Sequence, residues 1–241
     1  MEKQTVLITG ANKGIGLETA RQLAQAGYRV FVGSRDPRNG ERAVAQLHAK
    51  GLTDVEWLRI DVADEKSVQQ AHDDLAKRTD RLDVLINNAG IPGTLPQSPS
   101  AAADDNLKKV FEVNFFGVIR TVRIFMDLLR KAPLPRIVNV TSDLASLTLH
   151  NDPEWEFYPF KSAAYGPSKT ALNAYTVALA FELKDTFKVN AVNPGYTNTE
   201  FNGNRGYKKV EDAAAPIVQY AMLGADGPTG KFVSDYGETP W

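Results

Sequence analysis

The chain has no cysteine, which excludes disulfides, thiolate nucleophiles and cysteine-ligated zinc, and fits a reducing compartment. Histidine is nearly as scarce. His48, His72 and His150 show no mutual spacing that suggests metal ligation, so no metal is expected and solvated surface is the expected place for all three. No apolar run approaches membrane-spanning length, and the chain reaches Val6-Leu7-Ile8 too soon after Met1 for a secretory signal. A cytoplasmic protein without a membrane partner is expected. Excess charge of either sign is also missing: a net charge of −1 gives no field to draw nucleic acid. A small-molecule partner is favoured.

What is present is 241 residues with 43% apolar and 24% charged side chains, enough for a single α/β domain over residues 1–241. Short β-branched runs alternate with segments of helical period, as in βαβ units that build a parallel sheet. Strands are predicted at 5–9, 29–32, 55–60, 84–86, 136–140, 189–192 and 231–233. Helices are predicted at 15–26, 41–49, 65–78, 105–130, 165–183 and 210–223. Three segments lack periodicity, 91–103, 144–164 and 195–209, and loops of that length usually carry function.

The first strand leads through Thr9-Gly10-Ala11-Asn12-Lys13-Gly14-Ile15-Gly16 directly into a helix. Gly10 allows a tight turn, Gly14 lets the backbone approach a pyrophosphate, and Gly16 lets helix and strand pack closely, with the helix N-terminus facing the anion. The spacing is G-x-x-x-G-x-G, which resembles the short-chain dehydrogenase/reductase family. Further signatures of that family follow in order: Asn87-Asn88-Ala89-Gly90, Asn114, Ser142, Tyr165-Gly-Pro-Ser-Lys169 and Pro194-Gly195. The end of the chain, from Gly227 to Trp241, looks like the carbonyl-reductase branch.

The resemblance implies a doubly wound, Rossmann-type parallel sheet of seven strands, order 3-2-1-4-5-6-7. It also implies NADP(H) as cofactor and reduction of a ketone or aldehyde. Residues 165 and 169 share one helix face, so the Lys169 ammonium is expected to hold the cofactor ribose and lower the Tyr165 pKa, making Tyr165 the general acid or base. Ser142 is expected to hydrogen-bond the substrate carbonyl. The family implies that Asn114 shapes its helix and holds a water relaying protons to Lys169. On the same footing Asn12, Lys13 and Ile15 belong to the phosphate loop. Asp61 and Val62 border the adenine, Asn88, Ala89 and Gly90 line the ribose side, and Pro194, Gly195, Thr197 and Thr199 cover the nicotinamide. Asp61 also reads as a strand-ending turn residue, and Thr197 stands where the family often has valine or isoleucine.

Cofactor choice rests on Lys13 and Arg35, both able to meet a 2′-phosphate. Asp36 lies near the place of an NAD-selecting carboxylate, but the apolar run ends at Val32, which points to neutral Ser34 as the ribose neighbour. Between Ser142 and Tyr165 the chain is longer than in most of the family and carries Trp155, Phe157, Tyr158 and Phe160 among prolines. Trp155 and Phe157 are expected to wall the substrate pocket, or to anchor a surface loop. This insertion makes either a monomer or a homo-oligomer compatible with the sequence. The competing functional reading is a redox sensor that holds NADP(H) without turnover, which would have no need of Ser142, Tyr165 and Lys169 together.

Overall fold

A computed structural model describes residues 3–241. Its strands are β1 (Thr5–Ile8), β2 (Arg29–Ser34), β3 (Val55–Arg59), β4 (Val84–Asn87), β5 (Arg136–Val140), β6 (Lys188–Val192), β7 (Phe232–Ser234) and β8 (Gly237–Glu238). They form one sheet in the order β3-β2-β1-β4-β5-β6-β7-β8. The first seven are parallel, in the expected order, and β8 pairs antiparallel with β7. This eighth strand corrects the expected seven. Two residues after a tight turn give no periodic signal of their own.

All four β1 residues and all five of β5 are buried, as a sheet covered on both faces requires. The side chains alternate between two apolar layers. Leu7 and Ile137 face the layer formed with α3 (Glu65–Ala76), α5 (Gly117–Leu129) and α7 (Tyr165–Glu182). Val6, Ile8 and Val138 face α1 (Gly14–Gln25), α2 (Pro37–His48) and α8 (Val210–Ala221). No helix among the described residues is long and apolar enough to cross a membrane.

The helix expected over 105–130 is interrupted. Helix α4 (Asp104–Phe111) passes into a π-helical turn, Glu112–Phe116, before α5 continues the path. Such a turn inserts one residue and re-aims the side chains within it. The segment between Ser142 and Tyr165 contains a 3-10 turn, Asp143–Ala145, and the four-residue α6 (Leu147–His150), then turns. The chain end closes against this segment: the Trp241 carbonyl accepts from Thr148 N at 3.0 Å and Thr148 Oγ1 at 2.6 Å, and the Tyr236 hydroxyl bonds Asp143.

His48 is exposed as expected, whereas His72 and His150 are less solvated. His72 is half-buried with its ring edge on Phe125 and its Nε2 2.9 Å from Asp127, and His150 meets Leu144 O at 3.1 Å. No group of three or more potential metal ligands is gathered among the described residues.

Candidate active site

The site lies at the carboxyl ends of the parallel strands, where an open α/β sheet binds its ligands. The turn after β1 is built around glycine. Gly10 has φ +64°, and a Cβ there would sit 2.8 Å from Ala89 Cα, so no other side chain fits between β1 and β4. A Cβ on Gly16 would lie 2.5 Å from Asn88 Nδ2. Asn88 reaches back into this turn, donating to Thr9 O at 2.9 Å and Gly10 O at 3.1 Å, while Asn88 N and Ala89 N both donate to Thr9 Oγ1 at 3.0 Å. Asn88 and Ala89 therefore brace the phosphate loop, and Gly90 is the member of the trio that reaches the catalytic cluster. Helix α1 starts without a side-chain cap and without an acidic residue in its first turn, so its N–H groups remain available to an anion. These features fit a dinucleotide pyrophosphate.

At the end of β2, Asp36 caps α2 by accepting from Asn39 N at 2.8 Å. Ser34 is buried and donates to Asp36 O at 3.1 Å. The carboxylate is thus committed to its helix, whereas Arg35 is exposed. Lys13 is also exposed and pairs with Glu200 Oε2 at 2.6 Å. Asp61 accepts from Ala63 N at 3.1 Å, which is the turn role, and buried Val62 packs over Gly117.

Asn114 sits in the π turn, fully buried. Its Oδ1 accepts from Ile91 N at 2.8 Å, and its Nδ2 donates to Ile91 O at 3.0 Å and Ser168 Oγ at 3.1 Å. Ser142 follows β5; its Oγ accepts from Leu144 N at 3.2 Å, and its hydroxyl lies close enough to that of Tyr165 to favour the phenol's ionised form. Tyr165 is the first residue of α7, with Lys169 one turn on. Lys169 Nζ donates to Val140 O at 2.8 Å, and a Cβ on Gly90 would lie 3.7 Å from this Nζ and 3.4 Å from Asn114 Oδ1. Asn114, Ser142, Tyr165 and Lys169 are therefore brought together.

The expected electrostatic tuning is absent from this arrangement. Burial pushes Tyr165 up to about 12, against the lowering effect of the Ser142 hydrogen bond. Burial alone brings Lys169 down to about 8. Desolvation dominates at both groups, and the lysine is anchored on the Val140 carbonyl.

After β6, Gly195 takes φ +79°, and a Cβ there would be 2.8 Å from Lys208 Nζ. Pro194 is buried. Thr197 is buried too, its hydroxyl donating to Gly195 O at 3.0 Å, so its side chain braces the loop. Thr199 Cγ2 approaches Gly14, within 3.5 Å of the place a Cβ would occupy.

Trp155 and Phe157 are half-buried in a chain of ring contacts. Trp155 meets Phe157 at 5.7 Å, Phe157 meets Tyr196 at 5.6 Å, and Tyr196 meets Tyr207 at 5.9 Å. The insertion is thereby joined to the 195–209 loop. Two residues escaped the sequence reading. Phe201 packs on the Tyr165 ring at 5.6 Å, its sequence signal being no more than a bulky ring in a polar stretch. Gln97 gives no sequence signal, yet it contacts the start of α7.

Comparison with known proteins agrees with this geometry. The sequence model described as short chain dehydrogenase matches residues 4–209. A short-chain dehydrogenase named anuI, from Penicillium roqueforti (strain FM164), is 37% identical over 240 residues, covering 97% of this chain and 94% of that protein. The structure of salutaridine reductase from Papaver somniferum superposes with a TM-score of 0.85 at 27% identity, over 97% of this chain and all of the other. An alcohol dehydrogenase from the archaeon Thermococcus sibiricus, complexed with 5-hydroxy-NADP, superposes with a TM-score of 0.81 at 25% identity, over 97% of this chain and 96% of that one.

Proposed function

The chain belongs to the short-chain dehydrogenase family and is an oxidoreductase, and from that premise we propose that it reduces a ketone or aldehyde to an alcohol with NADPH, reversibly, Tyr165 supplying the proton. The observation that carries this reading is the meeting of Ser142, Tyr165 and Lys169 beside a glycine cradle and an uncapped α1 N-terminus. A protein that only sensed the cofactor would need the cradle alone.

When bound, NADPH supplies the hydride. Ser142 holds the substrate carbonyl through its hydroxyl and shares that oxygen with Tyr165. A phenol held at about 12 is fully protonated at neutral pH, which is the form a proton donor requires. Lys169 carries its charge next to Gly90 and Asn114, where it holds the ribose and replaces the proton that Tyr165 gives up. Lys13 and Arg35 favour the 2′-phosphate, because Asp36 is engaged as the α2 cap. The half-buried rings of Trp155 and Phe157, with Phe201 over Tyr165, favour apolar or aromatic carbonyl compounds. The partner is a small carbonyl or alcohol.

Incubation with NADPH and a panel of ketones tests the reading: substrate-dependent loss of the reduced cofactor's absorbance is expected. General acid catalysis contributes about 10²–10⁴ in rate, so Tyr165→Phe should lower kcat by at least that lower factor while NADPH still binds. Near-parental turnover in that variant would overturn the role of Tyr165.

A further inference from the structure

Helix α7 begins on the residue that does the chemistry, and Ala164, in the capping position before it, has no side-chain acceptor to offer. Its first N–H groups need partners from outside the helix: Ser162 Oγ accepts from Gly166 N at 3.0 Å, which leaves those of Ala164 and Tyr165. Gln97 meets both from the 91–103 loop. Its Oε1 accepts from Tyr165 N at 3.1 Å and from Ala164 N at 3.3 Å, and its main-chain carbonyl accepts from Ala163 N at 3.0 Å.

The glutamine is itself held. It is 4% exposed, and its Nε2 donates to Pro92 O at 2.7 Å. The chain wraps this amide at Gly93, with φ +77°, where a Cβ would come within 2.9 Å of both Gln97 Nε2 and Asn106 Oδ1. Asn106 of α4 fixes the next residue, accepting from Thr94 N at 2.8 Å and donating to Thr94 O at 2.9 Å. Hydrogen bonds thus tie the loop to α4 at Thr94 and to the backbone of Tyr165 at Gln97.

We propose that Gln97 is a positioning residue for the reaction, an N-cap supplied in trans that fixes the start of α7 and with it the placement of the Tyr165 phenol against Ser142. The proposal rests on the reading of Tyr165 as proton donor. Its physical content is that a residue at the very start of a helix has no preceding turn to hold it. Losing the cap lets the first turn fray, and the ring moves with it. Proton transfer is sensitive to displacements of this kind, whereas the cofactor cradle on β1 and α1 is not touched.

Gln97→Met keeps the length and apolar bulk and removes both polar ends; Gln97→Glu keeps an acceptor for the two N–H groups. Active sites are counted by fluorescence titration with NADPH, so that only folded protein enters kcat. The methionine variant is expected to lose about tenfold or more in kcat, the scale of a small misplacement at a reacting group, with NADPH affinity unchanged. The glutamate variant keeps the acceptor for Tyr165 N and Ala164 N but loses the bond to Pro92 O, so it should recover part of that loss. It should also move the basic limb of the pH profile for alcohol oxidation upward by about half a unit to one unit, since a carboxylate at the start of α7 opposes ionisation of the phenol. A lowered Tm with parental kcat per binding site would overturn the proposal, as would equal loss in both variants. If Gln97→Met does not fold, an unmoved pH profile in Gln97→Glu overturns it. Retained turnover in Tyr165→Phe would instead sink the reading on which the proposal stands, whatever Gln97 does.

Discussion

Lys13→Ala tests cofactor choice most directly, because the structure gives the side chain two anions to choose between. In the free protein Lys13 pairs with Glu200 at 2.6 Å, and both side chains are exposed. An exposed pair of this kind is screened and contributes little to stability. A hydrogen bond from an ammonium to a phosphate is charge-assisted, worth about 1.5–3 kcal/mol, which corresponds to roughly ten- to a hundredfold in affinity. The phosphate should win, so the pair with Glu200 does not prevent Lys13 from serving the cofactor. The alanine variant should therefore lose about ten- to a hundredfold in kcat/KM with NADPH, keep near-parental kcat/KM with NADH, and show no measurable change in Tm. Steady-state kinetics with both cofactors at saturating ketone read the first two, and a thermal scan the third. An equal loss with NADH would make Lys13 a pyrophosphate ligand and remove it from the selection of the 2′-phosphate. No loss with either would leave Arg35 to carry that selection.

Asp36→Ala should lower Tm by a few degrees, since loss of an N-cap costs about 1 kcal/mol, while Asp36→Asn should not. Neither should alter the ratio of NADPH to NADH efficiency, and a marked change in that ratio would return Asp36 to the ribose. Replacing Trp155 and Phe157 together with alanine should raise KM for bulky ketones more than for small ones; equal effects on both would leave the rings as loop anchors. Stability should depend on pH through the buried groups. Lys169, held at about 8, binds fewer protons folded than unfolded up to its ordinary value, so stability should rise between about pH 8 and 10.5. Tyr165 and Tyr175, both pushed up to about 12, keep their protons longer folded than unfolded, so stability should fall above pH 10. Denaturant midpoints measured across this range should show the rise disappear in Lys169→Met.

The parts of this molecule that were legible in the sequence are those in which one short segment carries its own constraint. The loop from Gly10 to Gly16 sets a turn and a helix start, the strands are continuous apolar runs, and residues 165 and 169 share a helix face by spacing alone. The π turn at Glu112–Phe116 was hidden because one inserted residue barely disturbs the apolar period of a long amphipathic segment. Asp36 read in sequence only as a carboxylate near the ribose, and its role as the α2 cap was hidden because the helical period was legible only from residue 41, four residues after the helix begins. Gln97 and Phe201 act across the fold, from loops without periodicity, on a residue far along the chain. The direction of the Tyr165 shift depends on how far burial exceeds the effect of the Ser142 hydroxyl, a balance that residue types do not encode.

The chain of rings from Trp155 through Phe157 and Tyr196 to Tyr207 has a consequence for how substrate range can be altered. The two loops it joins flank the whole of α7 in sequence, so a recombination crossover anywhere within that helix separates rings that were selected to fit each other. Loop grafts from a relative should succeed when both segments are exchanged from one parent and lose folded yield when only one is. The helix bearing Tyr165, by contrast, can be kept from either parent.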